Sequence, residues 1–324
     1  MIEYANLTES NLESALGVMN LNLEFDNTTT LDLLRYKTLD DPDYDPSLGV
    51  LALADGEPCG FMFAVVRTEG DKKVGGLKFF AVDEAFRNRG IASEMLRRIE
   101  EGVRTAGARS MRIGFIRPNY LMPGVDPRYT VACAFLLRRG FKRAGEAFNM
   151  DVELDASDWS TDQIEARLAQ DGIIVRRLRS DECEKLRQWM IEDGWSAGWQ
   201  YQTLRSAEMD PIAVFVGERA TGVSGFERGE AERKSRNTGA EFVAFACYDG
   251  VRPGWFGPMG TSESMRGTGI GSVTFLKCLQ DMKAKGYRVC EINSVGPLYF
   301  YSKAANAVVS RIFWQFEKEL KAKG

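Results

Sequence analysis

The hydrophobic positions of the chain repeat one pattern at two places. In the first, the apolar run 77–82 predicts a strand, and apolar residues at helical spacing then predict an amphipathic helix that stops at Gly107. In the second, the run 255–261 predicts a strand, and the helix that follows stops at Gly286. The buried faces of these two helices are predicted to be Ile91, Met95, Leu96, Ile99 and Val103, and Val273, Leu276, Leu279 and Met282. A strand is also predicted after each helix.

The turn before each helix is rich in glycine. The sequence is "RNRGIAS" at Arg87–Ser93 and "RGTGIGS" at Arg266–Ser272, and the count from first arginine to stopping glycine is the same in both. The two halves also open alike, with a short strand and an amphipathic helix. Such a long period is typical of a domain duplication. We therefore expect an α/β (α+β) fold with two tandem domains, each a mixed, mostly antiparallel sheet flanked by helices, at 1–155 and 173–324, with a linker at 156–172.

Composition limits the cellular location and the classes of binding partner that we expect. The 324 residues are 44% hydrophobic, which is enough for two cores, and the net charge of -4 comes without a dense basic block. A nucleic-acid partner is therefore not expected. The N-terminus resembles no secretory signal and no apolar run approaches membrane-spanning length, so we expect a cytoplasmic protein with no membrane partner, either a monomer or a homodimer.

The chain contains no histidine. This excludes Ser-His-Asp and Cys-His nucleophilic sites, histidine bases and histidine-ligated metals. The six cysteines are scattered without a C-x-x-C pair, which favours buried reduced thiols over a zinc site. We expect no metal, and a chemistry of carboxylates, tyrosine, cysteine, lysine, main-chain dipoles and water.

A glycine turn before a helix exposes the first unpaired N–H groups of that helix, and this favours a bound phosphate or pyrophosphate. Neither turn fits the Walker pattern, because no Lys-Ser or Lys-Thr follows the glycines. The dinucleotide fingerprint needs a third glycine where Ser272 stands. The pattern that fits is R-x-x-G-x-[GA], at Arg87, Gly90 and Ala92 and again at Arg266, Gly269 and Gly271.

This pattern between a strand and a helix resembles the coenzyme A pyrophosphate loop of the GNAT acyltransferase superfamily, in a tandem arrangement similar to that of mycothiol synthase. The resemblance implies direct transfer of an acetyl group from acetyl-CoA, the co-substrate, to a small-molecule primary amine. The cofactor-binding residues that it implies are Val82, Arg87, Asn88, Arg89, Gly90, Ile91, Ala92 and Ser93 in the first half, and Gly260, Thr261, Arg266, Gly267, Thr268, Gly269, Ile270, Gly271, Ser272 and Asn293 in the second.

The resemblance also implies a tyrosine that protonates the leaving thiolate. Leu136 replaces it in "YTVACAFLLRRGF", whereas "GPLYFYSKAANA" has Tyr301 at that position and Tyr299 as a second candidate. We therefore expect the C-terminal domain to be catalytic and the N-terminal domain to be degenerate. Glu291, on the predicted strand before this segment, is the candidate base.

The acceptor wall of such a fold follows the first helix of the domain, where the second half reads "EDGWSAGWQYQ". Trp195, Trp199 and Tyr201 there, beside acidic residues, suit a cationic amine. The alternative is that the tryptophans belong to the core. Two other functions stay open, a non-catalytic acyl-CoA-binding sensor or scaffold and a protein-lysine acetyltransferase.

Overall fold

A computed structural model describes residues 1–26, 28–208, 213–220 and 240–320. The chain divides into two compact units, one of Met1–Ala147 with Ile312–Gly324 and one of Phe148–Arg311. Each unit has its own hydrophobic core. No helix in the described ranges is long and apolar enough to cross a membrane.

The first half of the chain contains the strands β1 (Ile2–Asn6), β2 (Gly49–Ala54), β3 (Glu57–Glu69), β4 (Lys72–Val82), β5 (Ser110–Ile113) and β6 (Lys142–Glu153), and the helices α1 (Leu12–Asn22), α2 (Leu31–Lys37), α3 (Ile91–Thr105) and α4 (Thr130–Arg138). The second half contains the strands β7 (Ile173–Arg177), β8 (Val214–Ala220), β9 (Ala240–Tyr248), β10 (Trp255–Thr261), β11 (Val289–Ile292) and β12 (Val308–Glu319), and the helices α5 (Asp162–Gln170), α6 (Cys183–Glu192), α7 (Ala197–Glu208), α8 (Ile270–Ala284) and α9 (Leu298–Ala305).

Each unit is built on one mixed sheet. In the first unit the strand order is β1-β2-β3-β4-β5-β12, and in the second it is β7-β8-β9-β10-β11-β6. Pairing is antiparallel except between β4 and β5 and between β10 and β11. In both units, α-helices connect the first two strands and the two parallel strands. The expected tandem α/β fold with mostly antiparallel sheets is confirmed.

The last strand of each sheet comes from the other half of the chain. Residues 316–319 of β12 pair with β5, and residues 150–153 of β6 pair with β11. The unit boundaries therefore lie inside β6 and β12, and they differ from the expected boundaries at 155 and 173. Residues 156–172, expected as a linker, include α5, whose Leu168 is buried in the core of the second unit. The polar residues that predicted a linker form the exposed face of this helix.

The parallel pairing is short in both units. β4 pairs with β5 only at Gly75 and Gly76, and β10 pairs with β11 only at Trp255 and Phe256. Beyond these residues the paired strands separate. The antiparallel register on the other side of each strand is interrupted at the same level, next to Lys78 on β4 and between Phe256 and Met259 on β10. Each sheet therefore has a gap between its two parallel strands where main-chain groups lack a strand partner.

A buried ionic cluster holds the side chain of Lys78 in the first unit. Lys78 Nζ lies 2.6 Å from Asp41 Oδ2, and Arg67 donates two hydrogen bonds to the same carboxylate, at 2.6 and 2.7 Å. The side chains of Asp41 and Lys78 are 0% and 1% exposed. Burial lowers the pKa of Lys78 to about 8, against the opposing charge of Asp41. Burial alone would raise the pKa of Asp41, but the two cations outweigh it and lower that pKa.

We expect Asp41→Asn to lower the free energy of unfolding by about 3–5 kcal/mol, because it removes the buried counter-charge that Lys78 and Arg67 share. Asp43→Asn is the matched control, since Asp43 also bonds Arg67 but its side chain is 45% exposed. Its removal should cost less than about 1 kcal/mol. Urea unfolding of the two variants measures the difference, and equal losses would contradict this account of the cluster.

Candidate cofactor and catalytic site

The two predicted glycine turns lie at the starts of α3 and α8. Gly90 (φ +82°) and Gly269 (φ +99°) occupy the N-cap positions in the left-handed conformation, which glycine adopts without strain. The N–H groups of the first helical turn have no intrahelical partner and point out of the helix end. They belong to Ile91, Ala92 and Ser93 in the first unit and to Ile270, Gly271 and Ser272 in the second. Each turn therefore presents a row of main-chain donors.

The arginine of the first turn bonds to protein groups. Arg87 Nε donates to the carbonyl of Val82 and Arg87 Nη2 to Asn22 Oδ1, each at 3.0 Å. The guanidinium thus joins the end of β4 to the end of α1, where the sequence predicted a contact with an anion. Arg89 lies 5.1 Å from the centre of the Phe86 ring. Asn88 has a positive φ of 63°.

The arginine of the second turn is available to a ligand. Arg266 is exposed, and within the described ranges no hydrogen bond or ion pair engages its side chain. The turn itself is braced by Thr268, whose hydroxyl donates to the carbonyl of Met265 at 2.8 Å. The carbonyl of Thr268 accepts a hydrogen bond of 3.0 Å from Arg167 on α5.

Trp195 packs directly on β10 where that strand approaches the turn. A Cβ atom at Gly260 would lie 2.6 Å from Trp195 Cη2, so only glycine fits under the indole. Trp199 stacks on Trp195 with ring centres 5.5 Å apart, and Phe245 meets Trp195 edge-on at 5.4 Å. The two tryptophans are half-buried against the core, as the alternative interpretation expected, and Tyr201 follows them on α7. The indole N–H of Trp195 is buried and has no hydrogen-bond partner among the described residues.

Tyr301 lies at the start of the gap in the second unit. Its ring contacts Phe275 and Phe256 edge-on, with centres 5.2 and 6.1 Å apart, and Phe256 is the last residue of β10 that pairs with β11. Tyr301 is 6% exposed, and burial raises the pKa of its hydroxyl. The hydroxyl therefore keeps its proton at neutral pH. Leu136 on α4 is also buried but has no proton to donate.

Tyr299 does not lie at the gap between β10 and β11. Two residues along a helix point in nearly opposite directions, so Tyr299 faces outward when Tyr301 faces the core. It is 78% exposed, and Lys303 Nζ lies 5.9 Å from the centre of its ring. The structure thus separates the two tyrosines that the sequence offered as candidates.

Glu291 is held by two side-chain donors. Asn149 Nδ2 donates to Oε1 at 2.6 Å and Trp255 Nε1 donates to Oε2 at 2.8 Å, while Arg311 Nη1 lies 3.9 Å from Oε1. Burial raises the pKa of Glu291, and the hydrogen bond from Asn149 opposes that rise. Because Ile292 packs in the same cluster as Tyr301 and side chains alternate along a strand, Glu291 lies on the opposite face of the sheet.

Sequence reasoning missed the residues that fix Glu291. Asn149 is fully buried, and its Oδ1 accepts the N–H of Ser294 at 2.9 Å, so one side chain joins β6 to the end of β11. The one sign of Asn149 in the sequence was a polar residue between apolar positions of a predicted strand. At the same place the N–H of Asn293 donates to the carbonyl of Phe256 at 3.1 Å, which closes the inner end of the gap.

We expect Asn149→Leu to raise the pKa of Glu291 further, because it removes the hydrogen bond that favours the carboxylate and leaves the burial in place. Carbon-13 NMR titration of the Glu291 carboxyl measures this. Gln280→Leu removes a side-chain bond to the carbonyl of Trp159 elsewhere in the same unit and should leave the pKa unchanged. A lower or unchanged pKa in Asn149→Leu would contradict the assigned role of Asn149.

Comparison with known proteins gives a family match in the first half of the chain. Residues 18–141 match the "Acetyltransferase (GNAT) family" sequence profile. No curated protein matches the chain.

Solved structures share the fold over nearly the whole chain. A GCN5-related glucosamine N-acetyltransferase region of a fungal multi-domain GH3 beta-N-acetylglucosaminidase superposes with a TM-score of 0.72 at 16% identity, over 98% of this chain and 38% of that one. A tandem GNAT protein from the clavulanic acid biosynthesis pathway gives 0.66 at 13% identity over 100% of both chains. A GCN5-related N-acetyltransferase from Sphaerobacter thermophilus gives 0.64 at 16% identity, over 100% of this chain and 97% of that one. At these identities the likeness shows the fold.

Proposed function

We propose that this protein is an acyltransferase whose second unit moves an acetyl group from acetyl-CoA to a primary amine of a small molecule. The match of residues 18–141 to the acetyltransferase (GNAT) profile and the fold shared with GNAT structures support this proposal. The observation that carries this proposal is the gap between β10 and β11. A glycine turn lies at the end of β10, Tyr301 lies on one face of the gap and Glu291 on the other.

The second glycine turn has the donors that a pyrophosphate needs. The N–H groups at the start of α8 and the positive end of the helix dipole favour an anion there, and the free guanidinium of Arg266 adds a charge-assisted contact. Beyond Phe256 the main chain of β10 pairs with β9 but has no strand partner on the side of β11, and this side is available for the extended arm of the cofactor. Acetyl-CoA supplies the reactive thioester.

Two side chains then act as the general acid and the general base. The hydroxyl of Tyr301 holds a proton that it donates to the departing thiolate. Glu291, whose pKa burial raises, accepts the proton of the attacking ammonium directly or through water, from the opposite face of the sheet. Trp195 and Trp199 lie on the segment after α6, where the acceptor wall of the fold is expected, and their rings suit a cation.

The first unit offers less room to an acceptor. Residues 114–129 between β5 and α4 bond to α2 and to the connection that precedes it. Asn119 Nδ2 donates to the carbonyl of Tyr36 at 2.6 Å, and the Tyr129 hydroxyl donates to Asp26 Oδ2 at 3.0 Å. Asn119 is fully buried. In the second unit the corresponding connection is only 293–297, and 296–297 are exposed. This supports the second unit as the catalytic one, although the family profile matches the first.

The first unit keeps an open glycine turn without the tyrosine. A Cβ atom at Gly90 would meet nothing within 4 Å, so the turn is accessible to an anion, while Leu136 cannot act as an acid. We therefore propose that this unit binds acetyl-CoA without turnover or serves a structural role. A small-molecule amine as acceptor agrees with the fungal neighbour, which is described as a glucosamine N-acetyltransferase region.

We expect Tyr301→Phe to lower kcat by roughly 10²-fold, the usual contribution of a positioned acid, while the Kd of CoA stays unchanged. The assay measures thiol release over a panel of primary amines, with calorimetric titration for the Kd. Tyr299→Phe is the matched control on the same helix and should leave both constants unchanged, because Tyr299 is exposed. Full activity of Tyr301→Phe would remove this tyrosine from the mechanism, and binding without release for any amine would favour the non-catalytic sensor.

A matched pair of variants tests which unit turns over. Ser272→Glu and Ser93→Glu each place a carboxylate in the first turn of α8 or α3, which suits the helix but repels a pyrophosphate. We expect Ser272→Glu to abolish thiol release at ordinary acetyl-CoA concentrations and Ser93→Glu to retain it. The reverse result would make the first unit catalytic.

A further inference from the structure

The segment before β7 is fixed along α8. Glu165 Oε1 lies 3.1 Å from Lys277 Nζ, and Gln280 Nε2 donates to the carbonyl of Trp159 at 2.9 Å. Ile164 and Leu168 of α5 pack in one cluster with Ile270 at the start of α8. α5 is therefore a fixed part of the second unit, and it reaches the glycine turn.

Arg167 is the residue of α5 that touches this turn. Its Nη2 donates to the carbonyl of Thr268 at 3.0 Å and lies 2.8 Å from the place where a Cβ atom of Gly269 would be. The absence of a side chain at Gly269 thus makes room for the guanidinium as well as for the left-handed backbone. The bond has a charged donor and is correspondingly stronger than one between neutral groups.

We infer that Arg167 is a positioning residue for the cofactor turn of the second unit, an inference that rests on the function proposed above. In a trans peptide the C=O and N–H groups point in opposite directions. A donor fixed on the carbonyl of Thr268 therefore directs the N–H of Gly269 away from Arg167, towards the free side of the turn, and polarises it as a donor. A turn held in this orientation before the pyrophosphate arrives loses less freedom on binding.

The described residues of the first unit show no such bond to a main-chain carbonyl of the turn. No atom of the described residues lies within 4 Å of a Cβ built on Gly90, and the arginine of that turn bonds Val82 and Asn22 instead. The two turns share a sequence pattern and a backbone conformation. Among the described residues they differ in what an arginine from outside the turn bonds. Arg167 bonds a main-chain carbonyl in the second turn, whereas Arg139 Nη2 donates to the side-chain hydroxyl of Ser93 in the first.

Steady-state kinetics with two acetyl donors test this inference, in the Ser93→Glu background so that only the second turn binds. With acetyl-CoA, Arg167→Ala should raise KM roughly tenfold, the size expected for one hydrogen bond from a charged group, and leave kcat and the KM of the amine unchanged. With S-acetylpantetheine, which lacks the pyrophosphate, the same variant should show no change in KM. Arg167→Lys should recover part of the acetyl-CoA affinity.

Arg187→Ala is the matched control, because Arg187 is also an exposed arginine on a helix of the second unit and, among the described residues, bonds only Glu184 in its own helix. It should leave every constant unchanged. Thermal unfolding of each variant checks that the fold is retained. Equal KM for acetyl-CoA in Arg167→Ala and the parent, or an equal rise with both donors, would overturn the inference while the proposed function stands. A parent protein that neither binds nor uses acetyl-CoA would overturn both.

Discussion

The short parallel pairing of β10 with β11 is the constraint on which the rest of the second unit depends. After Phe256 and Ile292 the strands separate, and main-chain donors and acceptors that a sheet would pair are left facing a gap. Such groups need a partner, and an extended ligand can supply one. The glycine turn follows at the end of β10, and Tyr301 and Glu291 lie on the two faces of the gap. In the proposed function, cofactor binding and proton transfer thus both depend on this one interruption of the sheet.

The two units share one fold but differ in the side chains and connections around their glycine turns. The parallel strands separate at corresponding residues in both, and both α3 and α8 begin after a left-handed glycine. The differences lie in side chains and connections. Leu136 takes the position in the first unit that Tyr301 has in the second. Arg87 bonds Val82 and Asn22, whereas no described residue bonds the side chain of Arg266. Residues 114–129 pack on α2, whereas 296–297 of the corresponding connection are exposed.

Local patterns made the fold and the glycine turns predictable from sequence, whereas long-range pairing did not. Helical spacing and the need for glycine at positions 90 and 269 are properties of a few consecutive residues, so they could be read without a structure. The exchange of β6 and β12 depends on pairing between residues more than a hundred positions apart. Asn149 and Arg311, which lie beside Glu291, are on those exchanged strands, and for that reason sequence reasoning missed them.

A crystal structure with CoA bound tests the central claim most directly. The account predicts that the pyrophosphate lies on the N–H groups of the turn between Arg266 and Ser272, with the thiol in the gap between β10 and β11 and close to the Tyr301 hydroxyl. CoA bound only at the turn between Arg87 and Ser93, with the second turn empty at saturating concentration, would contradict it.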